Sequence, residues 1–146
     1  MGSKIDSKKF ALAVLAVFVV VSIIEYILHT FILGSIYARP EYQVGLFWPT
    51  GDYSATKWLY LGYLLFAGLF TFVYTRGYEA KPALSQGLRY GVYIGLLLYV
   101  PSMFIQHGLL LVPKIVILSW GVAGFVECIV SGILVARIHR PPATTS

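Results

Sequence analysis

The chain has 146 residues, of which 58% are hydrophobic and only 12% are charged, and its mean hydropathy is +0.79. Soluble domains carry roughly 25% charged residues, so this composition excludes a soluble globular domain. The net charge of +5 does not indicate nucleic-acid binding, because the basic residues lie at the ends of apolar segments and not in one run. The single cysteine, Cys128, excludes an internal disulfide.

Four apolar segments follow one another along the chain. They cover approximately residues 10–36, 56–75, 87–111 and 112–138. Each reaches the roughly 20 residues that a helix needs to cross a bilayer. Gly108, Pro113 and Lys114 interrupt the last two segments and favour a tight hairpin over one very long helix. The sequence therefore predicts an all-α, four-transmembrane-helix bundle, a single integral membrane domain over residues 1–146.

The first segment could be mistaken for a signal peptide, because basic residues precede it. It is longer than the 7–15 residues typical of a signal-peptide core, and it contains Glu25. We therefore expect it to be an uncleaved span.

Basic residues predict the orientation of the four spans. One side carries eight of them, namely Lys4, Lys8, Lys9, Arg76, Lys81, Arg89, Arg137 and Arg140, and the other carries Arg39, Lys57 and Lys114. The positive-inside rule then places both termini, the loop 76–86 and the tail 139–146 in the cytoplasm. We expect a multi-pass protein of a cell membrane, most simply the inner membrane of a bacterium.

The loop 37–55 is the only long connection, and it is predicted to be external. Phe47 and Trp48 are suited to the membrane interface, and Pro49 and Gly51 to a turn. The loop either caps the outer end of the bundle or is an ordinary surface loop that dips its aromatic side chains into the headgroups.

Small residues recur every four positions in the last two spans. Gly87, Gly91 and Gly95 form one such stripe, and Gly124, Cys128 and Gly132 form another. Stripes of this kind let helices approach closely in lipid, so they predict packing inside the bundle or, alternatively, a homodimer face. Pro101 is expected to kink or loosen the third span.

Glu25 and His29 lie four residues apart within the first span, and Glu127 lies within the fourth. Ionisable residues in a bilayer cost several kcal/mol, about 2.5–3.5 for Asp or Lys at a helix centre, and so indicate a partner or a function. At 1.5 Å per residue, Glu25 and Glu127 lie roughly 22 and 17 Å from the cytoplasmic ends of their helices. The two carboxyl groups are therefore predicted near the middle of the membrane.

Further polar residues fall at these two depths. Ser22, Tyr99 and Ser131 are expected to support the carboxyl groups. Gln106 and His107 form an outer layer with His29, since both histidines lie roughly 28–30 Å from the cytoplasmic side. The predicted site therefore has a carboxyl layer and a histidine layer.

Three interpretations fit these residues. One is binding of a proton, ion or small ligand at Glu25, His29 and Glu127, because two carboxylates in a low dielectric cannot both ionise cheaply. Transport would be one such function. Another is a metal or haem site, with His29 and His107 as ligands, alone or with Glu25. The third is structural, with protonated glutamates bonded to neighbouring helices. The matched depth of the carboxyl groups favours the first interpretation.

Enzymatic chemistry has little support. Cys128 follows Glu127, but consecutive helical residues point to different faces. The chain lacks the common zinc-hydrolase, nucleophile-elbow, phosphate-loop and Cys-x-x-Cys motifs, and the sequence names no cofactor. A rival of another class is an accessory or scaffold subunit of a larger membrane complex, with the glycine stripes and aromatic surface as contacts.

The layout resembles that of small four-span integral membrane proteins of bacteria. The segment Gly87-Leu-Arg-Tyr-Gly91 with Pro101, and the segment Gly121-Val-Ala-Gly124-Phe-Val-Glu127, carry the resemblance. The resemblance implies the four-span architecture and no activity, so no functional residues follow from it.

Overall fold

A computed structural model describes residues 6–42, 53–79 and 81–139. Within this part of the chain the regular structure is entirely helical. Four helices are long and apolar enough to cross a membrane: Ser7–Ile32, Thr56–Arg76, Ala83–Leu109 and Lys114–Ile138. The predicted all-α architecture with four membrane-length helices is confirmed. The cytoplasmic placement of the termini stays a prediction.

The first long helix has a regular part and an irregular end. It begins as α1 (Ser7–Ile27), where Asp6 caps the helix by accepting the backbone N–H groups of Lys8 and Lys9 at 3.0 and 3.2 Å. It continues as a π-helical turn, Leu28–Ile32, and ends in a short helix, α2 (Gly34–Tyr37), followed by a 3₁₀ turn at Pro40–Tyr42. Phe47, Trp48, Pro49 and Gly51 lie outside the described residues, as does the tail beyond 139.

The remaining helices are α3 (Thr56–Arg76), α4 (Ala83–Leu109) and α5 (Lys114–Ile138). The last two form the predicted hairpin, because Pro113 cannot continue α4 and directly precedes α5. α4 begins four residues before the predicted apolar segment and runs through Pro101 without a break. The apolar segments therefore coincide with the helices except at their ends.

α4 and α5 pack at very short range through glycine. A β-carbon at Gly87 would lie 2.5 Å from the carbonyl oxygen of Gly132, and one at Gly91 would lie 2.7 Å from the Cα of Ile129. Side chains fill the space beside the other small residues: the Phe125 ring lies against Gly95 and the Tyr99 ring against Gly124. The glycine stripes therefore face each other inside the bundle.

α5 is the central helix, because it contacts α1, α3 and α4. The largest buried cluster lies where it meets α1 and α3. Its members are Ala13, Val17, Val21, Ala67, Phe70, Tyr74, Cys128, Val135 and Ala136. Large apolar side chains such as Leu97 and Phe104 cover much of the outer surface. A central α5 places the Glu127 side chain among the other helices.

We expect Gly91→Ala to destabilise the protein by about 1–3 kcal/mol, because the new methyl group would force α4 and α5 apart. The matched control is Gly68→Ala, since a β-carbon at Gly68 meets nothing within 4 Å. Reversible unfolding of the detergent-solubilised protein measures both changes. Equal stabilities of the two variants would contradict the close packing at Gly91.

Candidate functional site

Glu25 and His29 are in direct contact near the end of α1. Glu25 Oε2 lies 2.8 Å from His29 Nε2. His29 belongs to the π-helical turn, in which the N–H of Leu33 donates to the carbonyl of Leu28, five residues earlier, at 2.8 Å. Such turns widen a helix locally and occur frequently at functional sites. The His29 side chain is 39% exposed and that of Glu25 is 17% exposed, so the pair reaches from the interior to the surface.

The second nitrogen of His29 is also bonded. Tyr37 Oη lies 2.9 Å from His29 Nδ1, and Trp120 Nε1 of α5 donates to the same oxygen at 2.7 Å. The His29 and Tyr37 rings stack with their centroids 5.5 Å apart. α2 therefore folds back over the π-helical turn and joins it to α5.

These contacts allow one continuous direction for the hydrogen bonds around a neutral His29. Because an indole N–H can only donate, Tyr37 accepts from Trp120 and can use its own O–H toward His29 Nδ1. His29 Nε2 then carries the ring hydrogen and donates it to the Glu25 carboxylate. In this arrangement Tyr37 supports the tautomer of His29 that donates to Glu25.

Glu127 is the most deeply buried acidic residue of the described chain, with 1% of its surface exposed. Its carboxyl group lies close enough to that of Glu25 for the two groups to interact directly. Glu127 Oε1 has no hydrogen-bond partner among the described residues. Since an ionised carboxylate only accepts, a hydrogen bond between these two carboxyl groups needs one proton between them.

Two tyrosines border the carboxyl pair. Tyr63 of α3 donates a long hydrogen bond of 3.5 Å to Glu25 Oε2. The ring of Tyr99 lies over Gly124, one turn before Glu127, and its hydroxyl interacts electrostatically with the Glu127 carboxyl group. The site therefore takes residues from α1, α3, α4 and α5.

The predicted residues of the outer layer do not join this group. Gln106 donates to Ser102 within α4 at 2.7 Å. His107 is exposed and lines a shallow groove of about 170 Å³ beside Met103 and Lys114. Ser22 lies one turn before Glu25, where its hydroxyl is buried without a partner among the described residues. The structure thus joins Glu25, His29 and Glu127 and places Tyr99 beside them.

A metal site has little geometric support in the described part of the chain. No three histidine, cysteine or acidic side chains there are grouped to hold a metal ion. Both ring nitrogens of His29 already have partners, so His29 could bind a metal or haem only by losing Glu25 or Tyr37. Residues 6–42, 53–79 and 81–139 therefore offer no preformed set of ligands.

Comparison of the chain with protein-family models, curated proteins and solved structures finds no match. The assignment of function therefore depends on the geometry of the chain itself.

Tyr37, Tyr63 and Trp120 were not identified as site residues from the sequence. Tyr37 falls in the predicted external loop, and Tyr63 is one of several tyrosines in an apolar span. These residues could have been found by searching each neighbouring helix for an aromatic residue with a polar tip at the depth of Glu25 or His29.

We expect Tyr37→Phe and Trp120→Phe to be coupled in a double-mutant cycle, because each removes one end of the same hydrogen bond. Hydrogen bonds between membrane helices are worth about 0.6 kcal/mol on average and up to about 1.7. Unfolding of the wild type, both single variants and the double variant gives the coupling energy. Tyr53→Phe is the control, since Tyr53 is 79% exposed. Additive effects at Tyr37 and Trp120 would contradict the bond.

Proposed function

We propose that the chain is a four-span integral membrane protein that binds a proton between Glu25 and Glu127 and exchanges it through His29. The observation that carries this proposal is the direct interaction of the buried Glu127 carboxyl group with the partly buried carboxyl group of Glu25. A function of this class is proton conduction or proton-coupled transport, and carboxyl and histidine chains inside membranes are typical of both.

The location of the carboxyl pair supports the proposal. Two negative charges in a low-dielectric interior repel each other strongly, whereas one shared proton leaves a single charge. That charge lies beside His29, which can become a cation by taking up a proton. With one shared proton on the carboxyl pair and a protonated His29, the three side chains together carry no net charge. When the His29 proton leaves, their net charge becomes −1.

The exposure of His29 supports its role in exchange. Glu127 is buried, so it has no direct contact with the surroundings, while the His29 ring is partly exposed and touches Glu25. A proton arriving at His29 can pass from Nε2 to Glu25 Oε2 across 2.8 Å. Tyr37 holds the ring in the orientation that this transfer requires.

The proton hypothesis is more specific than binding of an ion or a small ligand. Glu25 Oε2 and His29 Nε2 face each other at 2.8 Å, and His29 Nδ1 faces Tyr37 Oη at 2.9 Å. A proton needs no cavity, whereas a metal ion or a metabolite would. An accessory subunit would need no proton site at all. Detection of a shared proton and of proton flux therefore separates these functions.

Infrared spectroscopy of the protein in lipid tests the proton site. We expect the wild type at neutral pH to show the C=O stretching band of a protonated carboxyl group. Glu127→Gln should remove the band, because the shared proton needs both carboxyl groups, and the double variant Glu25→Gln with Glu127→Gln should also lack it. The control is Glu41→Gln, since Glu41 is exposed in a short turn outside the long helices.

Proton flux into sealed vesicles that contain a pH-sensitive dye tests the exchange. We expect vesicles with the wild type to equilibrate an imposed pH gradient faster than protein-free vesicles, and vesicles with Glu127→Gln to lose this difference. A wild type that lacks the carboxyl band, or vesicles with unchanged flux in every variant, would contradict the proposed function.

A further inference from the structure

Five buried polar atoms lie on one side of the carboxyl pair, toward the end of the bundle where α3 is followed by α4. They have no hydrogen-bond partner among the described residues. They are Ser22 Oγ, Thr71 Oγ1, Tyr74 Oη, Ser131 Oγ and His139 Nε2. Buried polar groups in native proteins are nearly always satisfied by protein or by ordered water. So many unpaired atoms in one region indicate a path for water.

The hydroxyl groups of Thr71 and Ser131 differ from an ordinary helical hydroxyl. Serine and threonine inside helices commonly bond a carbonyl of the preceding turn. Thr75 does so, donating to the Phe72 carbonyl at 2.7 Å. Thr71, one turn earlier and fully buried, does not, and neither does Ser131. Their hydroxyls therefore remain available to a partner between the helices.

Thr71 and Tyr74 lie on α3 and Ser131 lies on α5, and these two helices are parallel. Tyr63 of α3 interacts with Glu127 of α5, and further along the same helices the Tyr74 and His139 rings lie 5.9 Å apart. α3 and α5 therefore run side by side in the same direction from the carboxyl pair. Ser131 follows Glu127 by four residues and so lies on the same face of α5, and His139 directly follows the end of this helix.

Helical rise gives the spacing of these groups. Ser131 lies about 6 Å beyond Glu127 along the axis, Thr71 about 12 Å beyond Tyr63, and Tyr74 about 17 Å beyond Tyr63. From the carboxyl pair through Ser131 and Thr71 to Tyr74, successive groups are therefore about 5–6 Å apart along the axis. This is the distance that two hydrogen bonds through one bridging water span. Val17 and Val21 of α1 belong to the same core and form an apolar wall beside this path.

The path ends at an open polar groove. Tyr74 lines a groove of about 310 Å³ together with Gln86, Arg89 and Glu79. Glu79 lies 2.7 Å from both Lys81 and Arg89, and these cations hold the pKa of its carboxyl group below the usual value. An ionised rim of this kind remains in contact with water.

We infer that Ser131, Thr71 and Tyr74 form a proton-conducting column that links the Glu25–Glu127 pair to the groove between α3 and α4. The inference rests on the proposed function and adds a second route to the site, opposite to His29. Each hydroxyl accepts a proton from one water as it donates its own to the next, so no charge stays on the column. His29 serves one end of the bundle and the column serves the other.

Proton flux in vesicles tests the column, because the two routes act in series. We expect Thr71→Val and Ser131→Ala each to slow flux about tenfold or more, equivalent to about 1.4 kcal/mol in the barrier. Thr75→Val is the matched control, since its hydroxyl is already bonded to a carbonyl, and it should keep the wild-type flux. Thr71→Ser restores a hydroxyl at the same position and should also keep it.

The infrared carboxyl band distinguishes failure of the column from failure of the site. If Thr71→Val and Ser131→Ala keep both the band and the wild-type flux while Glu127→Gln loses both, the column is wrong and the carboxyl site stands. Slow flux in Thr71→Ser as well as Thr71→Val would assign the effect to packing and would also overturn the column. A wild type with no flux above that of protein-free vesicles would remove the proposed function and the column together.

Discussion

The interaction between the Glu25 and Glu127 carboxyl groups ties the positions of α1 and α5 to each other. It joins the two helices inside the bundle, and it forms only if both place their carboxyl groups at the same level. A broken pair would leave a buried carboxyl group without compensation, which is strongly destabilising. The central position of α5, with Glu127 directed inward, follows from this requirement.

The glycines of α4 and α5 allow α5 to contact the other three long helices at the same time. Because Gly87 and Gly91 allow the α4 backbone to touch that of α5, α4 takes up little space on one side of α5. α1 and α3 can then pack against the other side, where Glu25 and Tyr63 reach Glu127. Close packing on one face of α5 therefore allows a polar site on another.

The four helices and the hairpin were predictable, because they depend on the length of apolar runs and on Pro113. The Glu25–Glu127 contact was predictable as a shared depth, since helical rise fixes position along the axis. Depth does not fix direction around the axis, and so His107 shares the depth of His29 but lies in a separate groove. Tyr37 was beyond prediction: in a straight helix it would lie about 12 Å from His29 along the axis. The π-helical turn and the bend at Leu33 bring the two side chains together.

The two sides of the carboxyl pair use different chemistry for one physical reason. His29 lies close to the surface of the bundle, with 39% of its side chain exposed. Toward the α3–α4 groove the interior is longer and more buried, and a charge held there would be costly. Hydroxyl groups can pass a proton without keeping it. The residues between Glu127 and the groove are accordingly Ser131, Thr71 and Tyr74, with Glu79 and Arg89 only at the open rim.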